Sequence, residues 1–206
     1  RALAGVPERP LIGTIIKPSV GLSAEATGAL VTDLCAGGID FIKDDELQAD
    51  GPSCPFEDRV KSTMRAVNAA ADKTGKKAMV AFNLTGETDE MRRRHDLVLD
   101  CGGTCVMVNL TGVGMSGMID IGRHTEMPIH AHRAGWGALT RDPLLGWSYP
   151  AWSKLWRLAG ADHMHVNGFD NKFTESNESV AASVASLKHP LFGNSPMCAV
   201  HVFSSG

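Results

Sequence analysis

The sequence predicts an α/β fold of the (β/α)8, or TIM-barrel, type, truncated after its seventh strand. Three observations predict it. Short apolar runs rich in Val, Ile, Met and Phe alternate with helical stretches along all 206 residues. The ends of these runs fall roughly 30 residues apart, the size of one βα unit. Polar residues collect where the runs end: Lys17, Lys43 with Asp45 and Glu46, Asn83, Asn109, His130 with His132 and Arg133, His163 with His165, and Ser204. In a closed barrel such ends converge on one mouth, where active sites sit. An open dinucleotide-binding sheet would instead need a glycine fingerprint after its first strand, and Lys17-Pro18-Ser19-Val20-Gly21 stands there.

Strands are expected at 11–16, 38–43, 78–83, 104–109, 127–132, 162–166 and 197–203. Ser23 caps a first helix that runs to Ala36 and stops at Gly37-Gly38. Pro55 opens a second, with Val60, Met64, Val67 and Ala71 at helical spacing. Thr88 caps a third, and Pro150 and Ser176 start two more. Asn-Leu-Thr-Gly occurs twice, at 83–86 and 109–112, each time at a strand end. Seven strands are visible where a closed barrel needs eight. The expectation is therefore one catalytic barrel domain over 1–206, a fragment without its eighth strand.

Composition excludes several classes. A formal net charge of −3 offers no attraction to nucleic acid or to an anionic membrane. No apolar run approaches the ~18 residues of a spanning helix. The five cysteines are odd in number, scattered and without CxxC spacing, which speaks against zinc and against a disulfide framework. A reducing cytoplasm fits best, and the two Asn-Leu-Thr sequons are then not glycosylated.

The densest chemistry is Lys43-Asp44-Asp45-Glu46 behind Gly37-Gly38-Ile39-Asp40-Phe41-Ile42. Strand alternation puts Lys43 and Asp45 on one face, with Glu46 free to turn in at the loop. A lysine cannot ligate a hard cation as an ammonium. As a carbamate, formed by adding CO2 to the neutral amine, it becomes an oxygen anion. Carbamylated Lys43, Asp45 and Glu46 would present three anionic oxygens, a set that suits Mg2+. The bland alternative is a solvated loop of mixed charge. His130/His132 and His163/His165 each place two imidazoles on one strand face, able to move protons at an enolate or else satisfied structurally. Arg133 offers a planar fork for phosphate or carboxylate. Trp152 and Trp156 are expected to pack a helix rather than form a stacking platform.

The stretch 13–23 (Gly-Thr-Ile-Ile-Lys-Pro-Ser-Val-Gly-Leu-Ser), the run 37–46, His130-Ala-His-Arg-Ala134 and Gly160-Ala-Asp-His-Met-His165 together resemble the large-chain barrel of the RuBisCO superfamily. The resemblance runs across essentially the whole chain, with the motifs in family order. It implies Lys43 as the carbamylated lysine, with Asp45 and Glu46 as Mg2+ ligands. It implies Lys17 as the lysine that handles protons at the enolisable carbon, and His132 as a catalytic histidine near the substrate hydroxyls. Arg133, His165, Ser204 and Gly206 match phosphate-binding positions. Lys172, seven residues beyond His165, resembles the mobile-loop lysine that faces the carboxylate or CO2. The resemblance also implies a homodimer or larger homo-oligomer with the site at a subunit interface, completed by a neighbouring subunit's N-terminal domain, which this fragment is expected to lack.

The departures are informative. Ser19 stands where the carboxylases have a second lysine, Leu47 where they have an Asn, and Trp136 where they have a third histidine. The loop Val166-Asn-Gly-Phe-Asp-Asn-Lys-Phe173 is not the glycine-rich carboxylase form. Two lost cations weaken the case for a bisphosphate substrate, so the chain resembles the RuBisCO-like proteins rather than the CO2-fixing enzymes. Gly135-Trp136-Gly137 and the 167–172 loop resemble the branch that handles 3-oxo-isoapionate 4-phosphate, which holds decarboxylases and transcarboxylase/hydrolases. The expectation is a Mg2+-dependent lyase acting through an enolate on a small phosphorylated keto-sugar acid, with decarboxylation ranked first. An enolase or isomerase of methylthio-sugar phosphates is the alternative. A zinc amidohydrolase would need its HxH pair on the first strand, where Lys17-Pro18 stands. A non-catalytic remnant would have little reason to keep Lys17, Lys43, Asp45, Glu46, His132 and Lys172 together.

Overall fold

A computed structural model describes residues 2–48, 50–142, 144–171, 175–193 and 198–202. Lys172, Ser204 and Gly206 lie outside the described residues. All seven expected strands are present: β1 (Gly13–Ile15), β2 (Phe41–Lys43), β3 (Met79–Asn83), β4 (Cys105–Asn109), β5 (Ile129–His132), β6 (His163–Asn167) and β7 (Cys198–Val202). The helices are α1 (Ala24–Ala36), α2 (Phe56–Thr74), α3 (Thr88–Asp100), α4 (Leu110–His124), a single turn α5 (Gly137–Thr140), α6 (Tyr149–Leu158) and α7 (Asn177–Lys188). The fold is α/β with parallel strand pairs, and it divides into two compact units.

The first unit comprises residues 1–107 with 125–127. There β1 pairs with β2, β2 with β3, and β3 with the start of β4, all parallel. Their side chains leave a core of Phe41, Met79, Ala81, Cys105 and Met107. β-Strands buried on both faces read as continuous apolar runs, as β3 does over Met79–Phe82. Ser23 caps α1 by accepting from Ala26 N, and Gly75 closes α2 in the left-handed region at φ 71°. α1 lies against α2 at Gly28, where a Cβ would run into Ser62, so only glycine allows the approach. Val60, Met64 and Val67 bury one stripe of α2, each stabilising by about 1.5–3 kcal/mol. Asp40 is buried before β2, where it accepts from Arg9, Lys76 and Ile12 N; the Arg9 guanidinium above all holds its carboxyl well below the usual range.

Two expectations about helix starts are corrected. Thr88 is the first residue of α3 rather than its cap; Glu87 occupies the cap without a side-chain bond. Asp89 and Glu90 in the first turn oppose the helix dipole instead. α6 begins at Tyr149, one residue before Pro150, because Ser148 accepts from Ala151 N.

The second unit comprises residues 108–124 and 128–206. β5 pairs with β6 and β6 with β7, again parallel, in a register that sets His130 beside His163. α4 follows Asn109 directly and breaks at Gly114, whose φ of 65° and ψ of 177° no helix contains. The repeated Asn-Leu-Thr-Gly thus has two structures: a turn after β3 and a helical start after β4. Trp152 and Trp156 are buried along α6, in ring contact with each other and, through Trp152, with Trp136. They pack a helix, as expected. No helix among the described residues is long and apolar enough to cross a membrane.

Candidate active site

In the first unit the ionisable groups gather after β2. The strand ends at Lys43, so alternation does not carry through to Asp45 as the sequence suggested; a turn does the placing. Lys43 is buried, and its Nζ donates to Glu46 Oε2 at 2.8 Å and to the Asp44 carbonyl at 2.9 Å. Burial pulls the Lys43 amine below the ordinary lysine value, against the pull of Glu46, Asp45 and Asp44. Asp45 is fully buried and accepts from Lys17 Nζ, from Ser19 Oγ at 2.8 Å and from Leu47 N at 2.8 Å. Burial pushes its carboxyl up, but these donors outweigh it and hold the group below the usual range. Lys17 lies two residues past β1.

Asp44, between these residues, faces elsewhere. Its Oδ2 accepts from Arg59 Nε at 3.2 Å and from Asn83 N at 3.3 Å. Arg59 also donates to the Cys54 carbonyl and lies over the Phe56 ring, 5.3 Å from its centroid. The run of three acids is thereby sorted by geometry. Asp44 belongs to a buried ion pair, while Asp45 and Glu46 stay beside Lys43.

This donor set fits the Mg2+ and carbamate that the resemblance implies. Two carboxylates and an amine with depressed basicity come from four consecutive residues. The amine already lies within hydrogen-bond distance of one of those carboxylates. Addition of CO2 requires the neutral amine, the form that burial favours. Lys43, Asp45 and Glu46 would hold the ion, and hard oxygen donors are what Mg2+ takes.

In the second unit four imidazoles cluster. His130 Nδ1 is 3.0 Å from His163 Nδ1, and His130 and His132 each lie about 4.5 Å, ring to ring, from His165. His132 Nδ1 accepts from Ala134 N at 3.1 Å, which directs its other nitrogen away from that turn. Burial depresses His163 to about 4. Arg133 follows β5, with its guanidinium 5.3 Å from the Tyr149 ring centroid and 3.6 Å from Glu175 Oε2. Glu175 also accepts from Asn167 Nδ2 and from Ser179 Oγ at 3.0 Å. Tyr149 donates its hydroxyl to the His165 carbonyl, and burial raises its pKa. Sequence reading singled out Arg133 without finding Glu175 or Asn167. Only the geometry relates them.

Parallel α/β strands, with a lysine-carboxylate turn in the first unit and histidine pairs in the second, set the class of fold, and comparison specifies the family. The chain matches the family "Ribulose bisphosphate carboxylase large chain, catalytic domain" over residues 2–190. It belongs to that family. It is 64% identical over its whole length to the 3-oxo-isoapionate-4-phosphate transcarboxylase/hydrolase of Xanthobacter autotrophicus, covering 50% of that protein. It is 42% identical over its whole length to the 3-oxo-isoapionate-4-phosphate decarboxylase of Rhizobium rhizogenes, covering 49% of it. A crystal structure of a rubisco-like protein from Burkholderia fungorum superposes with a TM-score of 0.96 at 44% identity, over 98% of this chain and 50% of that one. The chain spans about half the length of the curated relatives it matches.

Proposed function

We propose that the chain is the catalytic part of an enzyme that converts 3-oxo-isoapionate 4-phosphate as a transcarboxylase/hydrolase. The observation that carries this reading is the 64% identity, over the whole chain, to the Xanthobacter autotrophicus protein of that name. Sequence reading ranked decarboxylation first, and the 42% identical Rhizobium rhizogenes relative favours it as the second reading. Both reactions run through the same electronic state, an enolate beside a carbon that carries or loses a carboxyl group.

In this reading the strands belong to a (β/α)8 barrel, in a homodimer or larger homo-oligomer in the cytoplasm. Carbamylated Lys43, Asp45 and Glu46 would hold Mg2+, which would supply fixed positive charge to stabilise an enolate. Lys17 moves the proton at the enolisable carbon. Its bond to Asp45 and its neighbour Ser19 hold the amine in place beforehand. His132 exchanges protons with substrate hydroxyls through the nitrogen not engaged by Ala134 N. Arg133 and His165 bind the phosphate, with Ser204 and Gly206 assigned the same task by resemblance. Lys172 acts on the carboxylate.

Full-length enzyme incubated with substrate labelled at the carboxyl carbon separates the readings. A transcarboxylase/hydrolase retains the label in non-volatile acid products; a decarboxylase releases it as CO2. If neither occurs while a methylthio-sugar phosphate exchanges its α-proton with solvent, the enolase or isomerase alternative replaces both.

A further inference from the structure

Asn83, the last residue of β3, is 3% exposed and grips the acidic turn from inside. Its Nδ2 lies 3.3, 3.2 and 3.1 Å from the carbonyl oxygens of Asp45, Glu46 and Gln48. The opposite end of the same amide is fixed as well: Oδ1 accepts from Thr85 N at 3.2 Å and from Thr85 Oγ1 at 2.7 Å. Its backbone N–H donates to Asp44 Oδ2, the carboxylate that Arg59 holds. One side chain thus collects three carbonyls of the 45–48 segment while another turn determines its own orientation.

The chemistry required is narrow. The site needs two N–H donors aimed one way and an acceptor aimed the other, at the reach of a single methylene. Aspartate has the reach without the donors, and glutamine has the donors one carbon too far out. A backbone segment whose carbonyls point inward to one amide has few remaining conformations. The direction in which the Asp45 and Glu46 side chains leave it is set accordingly.

We propose that Asn83 is a positioning residue for the cation. It touches neither metal nor substrate, and it fixes the 45–48 turn so that the Asp45 and Glu46 carboxylates face the ion together with Lys43. The inference rests on the metal reading above, and it adds a fourth residue, 37 positions away from Glu46 in sequence, to the determinants of that affinity. Outer residues that orient metal ligands characteristically change affinity by about 10–100-fold when removed.

The test uses the whole native protein with bicarbonate present. Mg2+ affinity is titrated for wild type and for Asn83→Ala, and hydrogen exchange is followed at the amides of Leu47 and Gln48. The expected result is about 10–100-fold weaker Mg2+ binding with accelerated exchange at both amides. Unchanged affinity and unchanged exchange in a folded variant would overturn the proposal. A wild type that binds no Mg2+ defeats the metal reading itself, and the role of Asn83 with it. A wild type that binds Mg2+ as well as Asn83→Ala does defeats the Asn83 role alone. Should the alanine variant not fold, the wild-type Asn83 side-chain amide decides: protons held by three carbonyls exchange slowly, and exchange at the rate of a solvated amide refutes the grip.

Discussion

Lys43 Nζ lies 2.8 Å from Glu46 Oε2 inside a site where burial has lowered the lysine's basicity. The pair can be an ion pair or, once CO2 is added, two anions that need a cation between them. Lys43→Ala is therefore expected to abolish turnover and to remove bicarbonate-dependent Mg2+ binding, because two carboxylates alone hold Mg2+ weakly. Wild-type protein with 13C-bicarbonate should show a carbamate signal that persists below the ordinary lysine range and fades on acidification, since protonation removes the amine that CO2 attacks. Undiminished metal binding in the variant would sink the assignment.

Asp44 and Arg59 form a pair with both side chains about 1% exposed. Removing one partner strands a buried charge. Asp44→Ala is expected to lower unfolding stability by about 3–5 kcal/mol. Replacing both partners with apolar residues of similar volume should cost much less. Denaturant midpoints of the three proteins give the comparison, and equal losses in the single and double variants would contradict it.

Glu175 places a carboxylate 3.6 Å from the Arg133 guanidinium, where a substrate phosphate would compete for the same cation. Glu175→Gln should therefore lower the KM for the phosphorylated substrate, by about tenfold if one charge-assisted contact is released. Arg133→Met should raise it by a similar factor. Initial-rate kinetics on the two variants decide this, and a KM that rises in Glu175→Gln would make Glu175 a support of Arg133 rather than its competitor.

His163 titrates at about 4 when folded and near 6.5 when free. Between those values the unfolded chain binds the extra proton. Stability due to the neutral imidazole is thus fully present above about pH 6.5 and is lost as pH falls through about 4. The loss at full protonation is on the order of 3 kcal/mol. His163→Gln should flatten the pH dependence of the urea midpoint across that window; an unaltered slope would show that other groups set it.

Lys172→Met is expected to reduce kcat strongly while Mg2+ binding survives. A lysine that favours the carboxylate only as it leaves assists the transition state, whereas equal ground-state binding would not. Parallel kcat and metal titrations check the separation.

Much of the fold was legible because most strands are short, largely apolar runs, and Phe41–Lys43 and Met79–Asn83 fall inside the expected spans. Capping was less legible: Thr88 looks like a cap by residue type, yet Glu87 stands outside the helix and Thr88 inside it. Gly114 gave no sign that it would break α4, since glycine in a helical pattern is compatible with either outcome. The acidic run was visible, but its division was not. Asp44 turns to Arg59, 15 residues on, and Asn83 reaches back 35 to 38 residues to the turn, distances only tertiary packing can bridge.

All four tryptophans (136, 147, 152 and 156) and the single tyrosine, Tyr149, fall in the second unit. Trp136, Trp152 and Tyr149 lie within 4.7–5.8 Å of one another, close enough to share excitation energy. Intrinsic fluorescence is consequently a local instrument. It registers melting around α6 and is blind to the lysine-carboxylate turn, whereas far-ultraviolet dichroism averages over every helix. Superimposable curves from the two methods would mean the halves unfold in one step, and separated curves would assign the earlier event to one half without any label being added.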